Sequence, residues 1–152
     1  MNNYDSLIDT LDHIEKVKEF GSRMSNDLTV RLITHDISKT KEFEKPIFDE
    51  FTPKLKDCTY GSDEYKSFLS EMGVALNHHY ENNRHHPEYF KNGMDDMNLI
   101  DLCEMIVDWK AATLRHKDSD IMKSIEMNQS RFGYSDDIKR LLINTVKDYF
   151  EM

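Results

Sequence analysis

The run Thr34-His35-Asp36-Ile37-Ser38-Lys39 sets an imidazole, a carboxylate and an ammonium within one and a half helical turns. Six of the seven histidines (His13, His35, His78, His79, His85 and His86) fall in the first 86 residues, four of them crowded between positions 78 and 86. Aspartates recur further along, at Asp101 and Asp108, within an apolar stretch. Neutral imidazole nitrogen and carboxylate oxygen together suit first-row divalent ions (Fe, Mn, Co, Ni or Zn), and a carboxylate can bridge two of them. These groups are expected to converge on a site for one or two such ions. Lys39 is too basic to ligate while protonated, but its ammonium suits a phosphate oxygen.

Each group also has a purely structural alternative. His35 and Asp36 can form a buried ion pair with Lys39 or Arg31, and the two later aspartates can bridge to Arg84, Lys110 or Arg115. His78 can belong to a solvated patch, and His116 can serve a helix C-terminus, where a partly positive ring suits the dipole. The crowding of four histidines favours a metal site over a surface patch. Adjacent helical residues such as His35 and Asp36 reach one ion only where the helix end opens.

Helical periodicity supplies the elements that must carry these groups. A first helix is predicted from about Asp5 to Phe20, ended by Gly21-Ser22, with His13 near the core's edge. A second, capped by Ser25, Asn26 or Asp27, spaces Leu28, Leu32, His35 and Asp36 onto one buried face. Residues 40 to 61, broken by Pro46 and Pro53, read as one short helix and loops. A third long helix follows Gly61-Ser62-Asp63 and turns His79 inward, with His78 on its flank. Glu81-Asn82-Asn83-Arg84 reads as a turn. The most hydrophobic helix, Met97 to about His116, is apolar on nearly every side and is expected to be central, with Cys103 a packed thiol. Two more helices follow, after Asp118-Ser119-Asp120 and after Ser135; they can pack on the core or on a second subunit of a homodimer. The expectation is an all-α bundle of six to seven helices in a single domain, 1–152.

The bulk numbers bound the partners. At 152 residues, 38% hydrophobic and 32% charged, the chain is globular. A net charge of −9 argues against stable nucleic-acid binding through phosphates, although bound ions leave room for a small phosphorylated ligand. Two cysteines make no disulfide framework, and no leader or membrane span is read, so a cytoplasmic protein is expected. Glycine-rich phosphate loops, G-x-S-x-G and C-x-x-C are missing, which sets aside the common nucleotide-loop folds, serine hydrolases and thiol redox proteins.

The order His13, then His35-Asp36, then paired histidines, then an aspartate on a later helix resembles the HD-domain metal-dependent phosphohydrolase superfamily. His35-Asp36-Ile37-Ser38-Lys39 is similar to its His-Asp-Ile-Gly-Lys element, with serine in the glycine position. His78 through His86 is similar to the histidine-rich segment of the dinuclear branches, and to a string in an uncharacterised bacterial and phage family. The resemblance covers roughly residues 5 to 117, leaving helices 118–152 outside it. It implies that His13, His35 and Asp36 ligate one ion, with Asp108 closing the site and Asp101 supporting it or standing in for it. His79 with His85 or His86 would hold a second ion, bridged through Asp36. These histidines are more closely spaced than in the dinuclear relatives.

The function expected is hydrolysis of a phosphate mono- or diester, of nucleotide type, by a metal-activated hydroxide. Asp36 and Lys39 would serve the chemistry, and Lys39, Arg31, Arg84 and Arg115 would hold phosphate oxygens. Two rivals remain: a di-iron oxygen-activating enzyme on the same scaffold, and a helical module that binds a nucleotide or protein without turnover.

Overall fold

Among the described residues seven stretches close into α-helices: α1 (Leu7–Thr34), α2 (Lys45–Asp57), α3 (Asp63–Glu71), α4 (Gly73–Asn82), α5 (Leu99–Thr113), α6 (Ile121–Phe132) and α7 (Asp136–Tyr149). Short 3-10 turns lie at Ile37–Thr40, Pro87–Tyr89 and Gly93–Asp96. The computed structural model describes residues 4–59, 61–115 and 120–150, and no strand occurs among them. The architecture is all-α, as the periodicity predicts. His116, expected at a helix terminus, lies outside the described residues. The chain divides into two units, Met1–Thr34 and His35–Met152.

The first unit is α1, and here the sequence reading is corrected. Gly21-Ser22 does not end a helix; one helix runs through it for 28 residues. A single interior glycine costs only about 1 kcal/mol relative to alanine. Ion pairs on either side offset part of that: Lys16 with Glu19 at 2.9 Å, and Arg23 with Glu19 across the glycine. Ending the helix would instead leave its last carbonyls to find new partners. Nor do Leu28 and Leu32 carry His35 and Asp36 on one buried face, because Leu32 is exposed and the helix stops at Thr34.

In the second unit, Pro46 occupies the first turn of α2, where a missing N–H costs nothing. Pro53 lies inside that helix rather than breaking it, at an exposed position opposite the buried Phe51. The third predicted helix is really two. Ser62 caps α3 by accepting from the Tyr65 amide at 3.1 Å, and the chain pivots at the buried Met72 before Gly73 opens α4. The phase survives the joint, so His79 is buried and His78 half-exposed.

Helix α5 starts with a capping box. The Asn98 side chain accepts from the Ile100 and Asp101 amides, and Asp101 accepts from the Asn98 amide at 2.9 Å. Leu102, Met105 and Ile106 then pack against Ile121 and Ile125 of α6, Tyr134, and Leu142 and Val146 of α7. The terminal helices therefore close on α5 to make the core. The expectation that α5 is buried all round is corrected on its outer face: Leu99, Val107 and the Cys103 thiol are exposed, and the buried cysteine is Cys58.

Candidate metal centre

The site lies within the second unit and is built by four chain segments. Where the chain leaves α1, Asp36 adopts a left-handed conformation, φ 55 and ψ 16, the only positive φ on a non-glycine residue among those described. That conformation is costly for any residue with a Cβ. It turns Asp36 away from the helical path, so that neighbours 35 and 36 address the same space. The helix end opens, as a shared ion requires.

The second segment is the end of α4 with its turn. On a continuous helix His79 and His86 would be separated by about 10 Å along the axis. Asn83 stops the helix, its amide donating to the His79 carbonyl at 2.7 Å and to Ser38 Oγ at 2.9 Å. The chain doubles back, and the Nε2 atoms of His79 and His86 come to lie 3.0 Å apart. Helix α5 is the third segment, through Glu104 and Asp108, and the loop carrying Glu44 is the fourth.

Two donor groups result. One joins Asp36, His79, His85 and His86; the other joins His35, His85 and Asp108, each with its donor atoms within 4.8 Å of one another. Asp36 reaches both, with Oδ1 at 3.2 Å from His79 Nε2 and 3.5 Å from His85 Nε2, and Oδ2 at 3.6 Å from His35 Nε2. His35 Nε2 is 3.4 Å from Asp108 Oδ1. Two ligands bound at about 2.1 Å to one ion are separated by roughly 3.0–3.4 Å at octahedral to tetrahedral angles. Spacings of 3.0, 3.2 and 3.4 Å fall on those edges, and those of 3.5 and 3.6 Å lie just beyond them. Moreover, Asp36 Oδ1 and His85 Nε2 are buried and make no hydrogen bond of acceptable geometry, a costly state that a shared cation would relieve. The residues fit a divalent ion.

Two buried glutamates orient the rings. Glu104 Oε1 accepts from His35 Nδ1 at 2.9 Å and lies 3.2 Å from His85 Nδ1. Glu44 accepts from His78 Nδ1 at 2.7 Å, from Ser38 Oγ at 2.9 Å and from His79 Nδ1 at 3.1 Å. With Nδ1–H donated outward, the Nε2 lone pairs face the centre, which is how ligating histidines are commonly held.

The electrostatics favour ligation at Asp36 and His86 and oppose it at His35. Burial raises the Asp36 carboxyl, but His79 and Lys39 more than offset it and hold it well below the usual carboxylate range. Burial, with His85 and His79 nearby, pushes His86 down to about 2, so this ring is a neutral donor. Burial also lowers His35, yet hydrogen bonds to Asp108 and Glu104 and the charge of Asp36 outweigh it and raise the ring to about 10. That ring must release its proton to ligate. Lys39 Nζ stands 2.6 Å from Asp36 Oδ2 and 5.1 Å from the Phe48 ring centre.

Other residues singled out in the sequence belong to neither donor group. His13 and Arg31 are on α1 in the first unit, His13 exposed, and neither is in a donor group. The Arg84 guanidinium donates to Asp101 in two bonds of 3.1 Å and lies over Tyr89 and Phe90. Asp101 in turn is the buried cap of α5, outside both donor groups. Its carboxylate has backbone and arginine to satisfy it, so an ion has nothing to add. Arg115 lines a cavity that also reaches Lys39, His79 and His86.

Sequence reasoning missed Glu44 and Glu104. Glu104 carried a signal, since the argument made for Asp101 and Asp108, acids on an apolar helix, applies to it unchanged. Glu44 carried none, being one acid in a charged loop.

A family profile described as a family of unknown function, DUF5662, matches residues 2–148. The chain belongs to this family. The match reaches into both units and covers α1 to α6 and all but the last residue of α7 in this DUF5662 chain. No curated protein matched, and no solved structure did.

Proposed function

We propose that this chain is a metal-dependent phosphohydrolase that cleaves a phosphate mono- or diester, of nucleotide type, in the cytoplasm. The observation that carries the reading is the convergence of Asp36, His79, His85 and His86 within 4.8 Å, beside Lys39 and facing a cavity. The order of motifs that resembles HD-domain enzymes supports the same class. When bound, one or two divalent ions supply a water acidic enough to attack at neutral pH and positive charge against the phosphoryl oxygens. Asp36, with Oδ1 toward His79 and His85 and Oδ2 toward His35, would help to hold the ion or ions. Glu44 and Glu104 hold the rings in the ligating tautomer. The Lys39 ammonium faces the cavity and takes a non-bridging phosphate oxygen, a charge-assisted bond that strengthens as charge builds there.

Anaerobically purified protein is expected to carry Fe, Mn, Co, Ni or Zn by elemental analysis and to release phosphate in a substrate screen. Asp36→Ala should lose both. Full turnover by a metal-free Asp36→Ala preparation would sink the mechanism. An iron–oxygen chromophore in air with no phosphate release would favour an oxygen-activating centre.

A further inference from the structure

The cavity that reaches Lys39, His79 and His86 has a volume of about 990 Å³, at the top of the range for small-molecule sites and far more than one phosphoryl group fills. Its walls come from α2, α3, α4, α5 and α6 and are largely apolar and aromatic, with Phe48, Tyr65 and Trp109 among them. The chain carries a net charge of −9, yet five Lys or Arg side chains line this cavity against three aspartates. With Lys39 paired to Asp36 and Arg131 to Glu88, the cations that remain for an anion are Lys56, Arg115 and Lys123.

Helix α5 serves as a ruler along it. Asp108 belongs to a donor group, Trp109, Ala112 and Thr113 follow on the cavity wall, and Arg115 lies just past the helix end. The five steps from Asp108 to Thr113 advance about 7.5 Å along the axis, and Arg115 follows two residues beyond the helix end. Lys123, on α6, lines the same cavity. Among the described residues neither Arg115 nor Lys123 is in an ion pair, whereas Arg131 is bound to Glu88 and Lys39 to Asp36. Trp109 stacks on Phe132, rings 6.5 Å apart and 11° from parallel, which fixes the indole as part of the wall.

We infer that the substrate carries a second phosphate, held by Arg115 and Lys123 farther along the cavity than the reacting phosphoryl group, with an aromatic body lying against Trp109. This rests on the phosphohydrolase reading of the ion site. A monophosphate at the ion site leaves Arg115 and Lys123 without a phosphate to hold; a bisphosphate supplies one.

The test compares adenosine 5′-monophosphate with adenosine 3′,5′-bisphosphate on metal-loaded protein, by quenching of the single tryptophan, Trp109, and by phosphate release. The bisphosphate should bind about tenfold more tightly or better, a modest return for two charge-assisted contacts. The ratio should fall to near one in Arg115→Ala/Lys123→Ala and survive in Arg115→Lys/Lys123→Arg, with far-UV circular dichroism confirming the fold of each. Equal affinity in the wild type, or a preference that persists in the double alanine variant, overturns the inference. Preferential binding without phosphate release would leave it standing and remove the hydrolase reading; release from both probes without preference would do the reverse.

Discussion

One face of α5 carries Leu102, Met105 and Ile106 into a core shared with α6 and α7, and the adjoining face carries Asp101, Glu104 and Asp108 to polar partners. Burial on the first face is non-directional, so any well-packed apolar neighbour satisfies it. Burial on the second is specific: Glu104 is only tolerable with imidazoles in reach, and Asp101 only with Arg84 and the Asn98 amide. The same helix thus shows two kinds of constraint. The apolar face sets how stable the unit is, and the polar face sets what it can bind.

Three substitutions can break or sharpen that contrast. The largest effect is expected at the core, where Ile125 is fully buried. Ile125→Ala should cost about 2–5 kcal/mol in denaturant titration through lost burial and an unfilled cavity, while metal bound per folded molecule stays the same. Loss of metal in step with stability would mean the two faces are not separable. On the polar face, Glu104→Ala should weaken metal affinity by about 10–100-fold, read by competition with a chelator, because two rings lose the acceptor that aims them. Helical content should be unchanged by circular dichroism. Undiminished affinity would show that ring orientation does not depend on Glu104. The smallest effect is expected on the outward face, where Cys103→Ser should shift stability by no more than about 0.5 kcal/mol; a cost above 1 kcal/mol would restore the packed thiol that the apolar run suggests.

Some elements were legible because their causes are local. The 3.6-residue period reads directly from apolar spacing, so α7 and the inward turn of His79 follow from the sequence. Boundaries failed where local signals compete. Gly21-Ser22 has the composition of a helix end but sits between ion-paired turns that continue the helix, and the Met72-Gly73 joint leaves the hydrophobic phase almost undisturbed. Cys103 was misjudged because apolarity shows that a face can be buried without saying whether a neighbour covers it.

By itself the sequence determined that the chain is helical and that imidazoles and carboxylates are crowded enough to hold an ion. Only the tertiary structure decided which of them meet. Glu104 bonds a histidine 69 positions earlier, and Glu44 one 35 positions later, and no periodicity reaches that far. The left-handed turn at Asp36 and the reversal at Asn83, tied to Ser38, are likewise outcomes of partners found across the fold, whereas the capping of α5 by Asn98 and Asp101 is local. Residue types set which bonds are possible; the packing of α4, α5 and the chain leaving α1 set which are made.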